Sequence, residues 1–328
     1  MLSRAADNLY WMSRYLERAE HTARLLDVNM QQTLDNTQES AEQYWGLLCA
    51  ALRTPPTQVG ADTAYTMLEA LTFDAENGAS VLACVAAARE NARQVREQIS
   101  SEMWEQINRF YLRVHRAQAE DLWRTEPHTF FQGVKEGVHQ SQGIADSTMS
   151  HGEGWRFLQL GRSIERASAT ALLLDVYFNV FLSQPEAAAD GDVEQTQVAT
   201  IEPDWVGLLK CCTAFEAYCK VYTATLRPRS IVEFLLLNAE FPRSVRFTTD
   251  AIQGALQAIA RTTGQRSAGR VERLAGRLRA TLDYAQVDEI LDDNLHSYLD
   301  GVQKQLSRIH TTLYEVFMEY PITGALTL

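Results

Sequence analysis

Several features that would connect this sequence with a familiar chemistry are missing from it. The five cysteines include no C-x-x-C pair and no histidine at metal-ligand spacing, which predicts reduced core thiols rather than disulfides or a zinc site. There is no H-E-x-x-H or H-x-x-H pattern, no Gly-rich phosphate loop and no G-x-S-x-G motif. We therefore expect no metal, no cofactor and no nucleotide-binding fold in this chain.

Lysine is also rare, and the balance of charge is acidic. Nearly all cationic side chains are arginines, whose forked guanidinium suits carboxylates and phosphates. The net charge of −12 argues against non-specific binding to nucleic acid or to an anionic membrane. No run of about 18 apolar residues occurs, and residues 1–7 lead into an amphipathic helix without a basic segment or a cleavage site. These features predict a cytoplasmic protein with no membrane or nucleic-acid partner.

Proline is scarce too, with eight in 328 residues, and alternating β-branched runs are lacking. The long stretches between prolines have helical periodicity and good helix formers, which predicts an all-α fold. Residues 184–203 mix Pro, Gly, Ala and acidic residues and are predicted to form an exposed loop. The predicted helices cover residues 3–33, 40–53, 63–72, 78–99, 101–120, 128–144, 152–182, 204–225, 229–238, 242–262, 267–281 and 285–318.

The sequence contains an internal repeat. Arg14–Val28 and Arg162–Val176 share R-x-x-E-R-A-x-x-T-A-x-L-L-D-V, ten identities in fifteen positions at a spacing of 148 residues. Chance alone would give about one identity. We interpret the chain as two diverged tandem repeats, 1–150 and 151–328, in one compact helical bundle with pseudo-two-fold symmetry, because two units are too few for a solenoid.

The repeated motif places charged side chains on helices. On the first helix they form one stripe opposite an apolar face, whereas the second helix is apolar on nearly every side and is predicted to be central. Burial of such ions costs several kcal/mol each unless they are paired. We therefore predict pairing between the copies, with Glu17 meeting Arg166 or Arg162 and Glu165 meeting Arg18 or Arg14.

Three interpretations of these charges remain open. They are structural ion pairs, or an arginine-lined pocket for a carboxylate, phosphate or peptide terminus, or a stripe on the first helix that docks a partner protein. In the pocket interpretation, a glutamate would act as a base or bind a cation. The catalytic candidates are Glu17 and Glu165, and the candidate ligand-binding residues are Arg14, Arg18, Arg162, Arg166 and Arg243.

Arg243 is a candidate for a separate reason. Pro242 suits the first turn of a helix, which would place Arg243 and Arg246 near a helix N-terminus able to bind an anion. An ordinary helix start is the alternative interpretation.

The sequence resembles the bacterial alpha-E domain family over essentially its whole length. The resemblance rests on Asn8–Asp27 and on several later segments that follow in the family's order. The second copy departs from the first, since Ala169 and Leu172 stand where the first copy has His21 and Arg24. The later segments are Ala88–Glu97, Trp104–Asn108, Thr148–Met149, Gly154–Phe157, Gly161–Ala167 and Pro242–Phe247.

The resemblance implies a helical bacterial protein that works with ATP-grasp ligase-like and transglutaminase-like proteins in making or modifying peptide and amide bonds. It supplies no catalytic residues. On this basis we expect an accessory or substrate-binding component of such a system. The alternatives are a non-catalytic scaffold with a structural Glu-Arg network, and a stand-alone enzyme that uses the glutamates as acid and base.

Overall fold

The computed structural model describes residues 1, 3–34, 38–54, 63–124, 127–181, 204–223, 225–263 and 268–319. Within these residues the chain forms only helices and the turns that join them, so the all-α prediction is confirmed. The loop predicted over residues 184–203 lies outside the described residues. The helices are α1 (Ser3–Leu34), α2 (Gln38–Leu52), α3 (Thr63–Thr72), α4 (Val81–Gln94), α5 (Ser101–Arg116), α6 (Ala119–Arg124), α7 (Pro127–Thr148), α8 (Glu153–Phe181), α9 (204–211), α10 (Phe215–Tyr222), α11 (Pro228–Val232), α12 (Val245–Thr263), α13 (Ala268–Asp283), α14 (Val287–Asp293) and α15 (Leu295–Phe317).

Two long helices, α1 and α8, lie together at the centre. Helix α1 also packs against α4 and α7, and α5 joins those two helices on the far side. Helix α8 packs against α12 and α15, and α13 joins them in the same way. Within the predicted charged stripe of α1, Glu17 and His21 are buried, whereas Arg14 and Arg18 are half-buried.

Gly161 sets how closely the two central helices approach. A Cβ atom at this position would overlap the carbonyl oxygen of Tyr10 and the hydroxyl of Ser13 on α1. The Ser13 hydroxyl donates a hydrogen bond to the carbonyl oxygen of Leu158 at 2.6 Å, so the helices are joined through backbone as well as side chains. Only glycine fits such a contact between helix backbones.

Polar side chains fix where several helices begin. The hydroxyls of Ser80 and Ser100 accept from backbone N–H groups in the first turns of α4 and α5, each at 3.1 Å. Asn294 caps α15 in the same manner at 2.9 Å. Such a cap contributes about 1 kcal/mol by satisfying an N–H group that the helix leaves without a partner.

Three long helices predicted from periodicity are interrupted in the structure. The predicted helix 204–225 breaks at Thr213, whose φ of 53° lies in the left-handed region. The predicted helix 101–120 stops at Arg116, and 285–318 is divided at Asn294. Periodicity missed these breaks because the apolar pattern continues across them while the backbone turns.

The thiols follow the sequence prediction. All five cysteines are free, and four are buried, with only Cys219 half-buried. Among the described residues, no helix combines the length and apolar character needed to cross a bilayer.

Candidate functional site

The repeated Glu-Arg motifs meet where α1 and α8 pack. Arg166 on α8 donates from Nε and Nη2 to the two oxygens of Glu17, at 2.6 and 2.9 Å. Glu165 on α8 accepts from the Nε atoms of Arg14 and Arg18, each at 2.7 Å. The predicted pairing between the two motifs is therefore confirmed.

One half of this network, around Glu17, is closed. Arg243 reaches in from the turn before α12 and donates to Glu20 at 2.8 Å, with its Nη1 atom 3.6 Å from Glu17. Arg24 binds the other oxygen of Glu20 through Nε at 2.8 Å. Glu17 and Glu20 are only 1% and 0% exposed. We call these residues, with Arg166, the closed half.

Electrostatics keep both carboxylates of the closed half ionised. Burial opposes the charge on Glu17, but Arg166 and Arg243 outweigh it and hold the pKa of Glu17 below its usual range. Arg243 and Arg24 likewise overcome burial and depress the pKa of Glu20. Two carboxylates that are saturated with guanidinium partners are poor proton acceptors, which suits a structural role.

The other half of the network borders a cavity of about 370 Å³, which lies within the usual range for small-molecule sites. Arg14, Arg18 and Glu165 form its charged wall, and Arg53 stands at the end of α2 with a hydrogen bond to Gln303. We call it the Arg18 cavity. Its remaining lining comes from α1, α2, α8, α15 and the turn before α4, namely His21, Ala51, Leu52, Gly78, Ala79, Ile164, Ser168, Ala169, Leu172, Leu306, Ser307 and His310.

The two arginines of this wall differ in how many donors they have left. Arg14 uses Nε and Nη2 on Glu165 and directs Nη1 toward the Tyr10 hydroxyl and His310 Nδ1, both at 3.2 Å. Arg18 uses only Nε, and neither of its terminal nitrogens has a hydrogen-bond partner among the described residues. The Arg18 side chain is 29% exposed. The cavity therefore contains one guanidinium whose outer edge is free.

Two histidines contribute neutral polar groups to the cavity. Burial lowers the pKa of His21 to about 4, and burial together with Arg14 lowers that of His310 to about 4. A guanidinium can only donate, so His310 Nδ1 is an acceptor and its ring proton sits on Nε2. His21 Nε2 is buried, and no partner for it lies in the part of the chain that the structure describes.

The lowered pKa of His21 predicts that the stability of the protein depends on pH. The folded-state pKa of about 4 lies below the unfolded value of 6.5, so the unfolded chain binds more protons between these values. The contribution of neutral His21 to the free energy of unfolding is therefore fully present above pH 6.5 and is lost as the pH is lowered toward 4. From pH 7 to pH 5, His21 should remove about 2 kcal/mol from the free energy of unfolding.

Urea unfolding of the wild type and His21→Gln at these two pH values measures this contribution. The variant should lose about 2 kcal/mol less than the wild type on acidification. Parallel losses in the two proteins would show that His21 is not held neutral in the fold. The carboxylates of the network do not interfere, since their depressed pKa values place their protonation below this window.

Six of the seven candidate residues chosen from the sequence lie in this network, and the seventh lies outside it. Arg162 lies 3.9 Å from Asp146 and lines a separate small cavity rather than joining either glutamate. Arg243 and Arg246 lie near a helix N-terminus, as predicted, since α12 begins at Val245 with Ser244 as its cap, but Pro242 lies in the preceding turn. The prediction that Pro242 opens this helix is wrong.

Sequence reasoning missed Glu20, His21, Arg53 and His310 as members of the site. His21 and Glu20 carried a weak signal, as polar residues of the first motif that the second motif lacks. Arg53 and His310 lie outside the repeat and reach the cavity only through packing. Within the described residues, no group of three or more His, Cys, Asp or Glu side chains is arranged to hold a metal ion.

Comparison with known proteins gives a family but no assigned activity. Two relatives, from Mycobacterium bovis and Mycobacterium tuberculosis, are described as uncharacterized proteins and are 24% identical over 333 residues. The match covers 95% of this chain and 36% of each relative, so the chain spans about a third of their length. No solved structure matches the chain.

The family model that matches is described as a predicted α-helical domain with a conserved ER motif. It covers residues 1–318. Two Glu-Arg pairs of this chain, Glu17-Arg18 and Glu165-Arg166, lie in the network between α1 and α8. The chain therefore belongs to the Alpha-E family.

Proposed function

We propose that the Arg18 cavity binds the anionic group of a small substrate, a carboxylate or a phosphate, and that the protein is the substrate-binding component of an amide-bond-forming system. The observation that carries this proposal is the free outer edge of Arg18 at the wall of a 370 Å³ cavity. A guanidinium edge binds carboxylate or phosphate oxygens through two parallel hydrogen bonds.

The charge around the cavity favours an anion over a cation. Arg14, Arg18 and Arg53 bring three positive charges, whereas Glu165 brings one negative charge. Both oxygens of Glu165 already accept from arginines, so little capacity remains for a cationic ligand. The cavity thus has an excess of two positive charges in a chain of net charge −12.

Uncharged side chains complete the lining of the cavity. His21 is one of them, with its Nε2 atom buried and without a hydrogen-bond partner among the described residues. Apolar neighbours such as Leu172 and Leu306 would then contact the uncharged part of the ligand.

We further propose that the cavity arose by divergence of two copies, 1–150 and 151–328, related by a pseudo-two-fold axis. Matched hydrogen bonds support this origin. Thr22 donates to the carbonyl of Ala79 and Thr170 donates to the carbonyl of Arg243, both at 3.0 Å, which makes Ala79 the counterpart of Arg243.

The Arg18 cavity would then correspond, in the other copy, to the closed half. Small side chains in the cavity would replace the large charged ones of the closed half. Ser168 stands 148 positions after Glu20, and Ala79 replaces the arginine that fills the closed half. Both of these small residues line the Arg18 cavity. In this account the closed half stabilises the bundle and the other half keeps the room for a ligand.

Activation of the bound group is proposed to come from another chain. An ATP-grasp ligase-like protein would supply nucleotide chemistry, and a transglutaminase-like protein would be the second partner. The five free cysteines are consistent with a reducing compartment, and we place the protein in the cytoplasm.

Two alternatives have less support. A purely structural scaffold fits the closed half, where Glu17 and Glu20 are saturated, but it leaves the free edge of Arg18 without a role. An enzyme that uses Glu165 as a base conflicts with its pKa, because Arg14 and Arg18 outweigh burial and hold that pKa below the usual range of a glutamate.

Arg18→Gln tests the proposal. Calorimetric titrations with inorganic phosphate and with N-acetylalanine should show saturable binding of at least one probe to the wild type and no binding to the variant. We expect a stability loss of about 1 kcal/mol, because Glu165 keeps its pair with Arg14.

Arg162→Gln is the matched control, since it removes an arginine of the other motif that lies away from the cavity. It should bind as the wild type does. Failure of both probes to bind the folded wild type, or equal binding by Arg18→Gln, would contradict the proposal. Binding of one probe alone would identify the anion as a carboxylate or a phosphate.

A further inference from the structure

A second cluster of arginines lies on the outer surface of α4 and α5. Arg96 lies over the ring of Trp104 at 4.9 Å, and Arg89 lies between Trp104 at 5.7 Å and Tyr111 at 4.8 Å. The ring of Tyr111 stacks on His115 at 5.2 Å. These five side chains form one continuous arginine–aromatic stack, which extends about 16 Å along α5.

The stack is held in place and partly open to solvent. Arg89 Nε donates to Asn108 at 2.7 Å, which fixes the guanidinium against the rings. Arg96 and His115 are exposed, while the other three side chains of the stack are half-buried. None of the five lines the Arg18 cavity.

The arginines of the stack have unused hydrogen-bonding capacity. Neither Arg89 nor Arg96 forms an ion pair in the described ranges of the chain, whereas the neighbouring Arg93 is paired with Glu90 at 2.6 Å. Arg89 and Arg96 therefore bring two unpaired positive charges to this surface of an acidic protein. Partly accessible aromatic rings beside arginines are the composition that dominates binding energy at protein interfaces.

We propose that the arginine–aromatic stack is a docking surface for an acidic segment of a partner protein. Carboxylates of that segment would bind the terminal nitrogens of Arg89 and Arg96, and its apolar groups would cover Trp104 and Tyr111. The inference does not depend on what the Arg18 cavity binds.

Other occupants fit less well. A second copy of this chain placed stack against stack would bring like charges together, and a copy placed with another face on the stack would make an open-ended assembly. A nucleic acid carries a continuous line of negative charge and would extend beyond the stack over a protein whose net charge is −12. A short acidic segment places its charge only where the arginines are.

Fluorescence anisotropy of a labelled oligoglutamate peptide tests the proposal with the full chain. Arg89→Ala with Arg96→Ala should weaken binding roughly tenfold or more, because both forked donors are lost. Arg273→Ala with Arg277→Ala is the control, since these exposed arginines of α13 change the net charge equally. The control should bind the peptide as the wild type does.

A second pair of variants separates stacking from charge. The double substitution Arg89→Lys with Arg96→Lys keeps both charges but removes the planar guanidinium groups and their stacking on the rings. It should therefore also weaken binding severalfold. Unchanged affinity of the alanine pair, equal losses in stack and control variants, or tighter binding of a duplex DNA of similar length would each overturn the proposal. Concentration-dependent dimerisation that the stack variants abolish would instead assign this surface to a second copy.

Discussion

Replacing Glu17 with glutamine is expected to lower the free energy of unfolding by about 3 to 5 kcal/mol. The carboxylate of Glu17 is 1% exposed, pairs with Arg166 and lies beside Arg243, so the substitution leaves two guanidiniums short of a counter-ion in a dry core. A buried charge that loses its partner keeps its full desolvation cost. Urea unfolding at neutral pH measures the change.

Glu90→Gln is the matched control for this substitution. Glu90 also pairs with an arginine, Arg93, but both side chains are more than half exposed and water replaces the lost contact. We expect no measurable change in stability from Glu90→Gln. Similar small effects of the two substitutions would show that the closed half does not hold the bundle together.

Gly161→Ala is expected to cost about 3 kcal/mol or more of stability. The added methyl group would overlap the carbonyl of Tyr10 and the hydroxyl of Ser13, so α1 and α8 must separate. Separation would also weaken the cross-helix pairs of Glu17 and Glu165, whose distances depend on the same contact. Thermal unfolding of the purified variant gives the size of the loss.

Gly143→Ala provides the comparison on another helix. Nothing lies within 4 Å of the position that a Cβ atom would take at residue 143 of α7. This substitution should therefore stabilise the protein by about 0.5 to 1 kcal/mol, because alanine is the better helix former. Equal effects of the two substitutions would mean that the close approach at Gly161 is not required.

The sequence was sufficient to predict the contacts made by the repeated Glu-Arg motif. The motif carries its charges at the same positions in α1 and α8, and buried ions must be paired, so pairing of Glu17 with Arg166 or Arg162 and of Glu165 with Arg18 or Arg14 could be predicted. In the structure Glu17 pairs with Arg166, and Glu165 pairs with both Arg14 and Arg18. The central position of α8 followed from its apolar character on nearly every side.

The parts that do not repeat could not be derived in this way. Arg243 meets Glu20 across 223 residues of sequence, and no periodicity connects the two positions. The charged stripe of α1 was expected to divide the helix into two faces, yet Glu20 is buried and pairs with Arg243 from the turn before α12.

The Arg18 cavity could not be predicted from sequence patterns either. It exists because small side chains such as Ala79 and Ser168 stand opposite one another in space, and a small residue gives no signal of an empty volume. The free edge of Arg18 depends on the geometry by which Glu165 divides its two oxygens between Arg14 and Arg18.

A crystal structure of the protein soaked with selenate tests the central claim most directly, because the anomalous signal of selenium locates the anion without ambiguity. Our account predicts a peak in the Arg18 cavity, with selenate oxygens within hydrogen-bond distance of the terminal nitrogens of Arg18. A cavity without selenium, in which the outer edge of Arg18 is paired with another side chain of the protein, would contradict it.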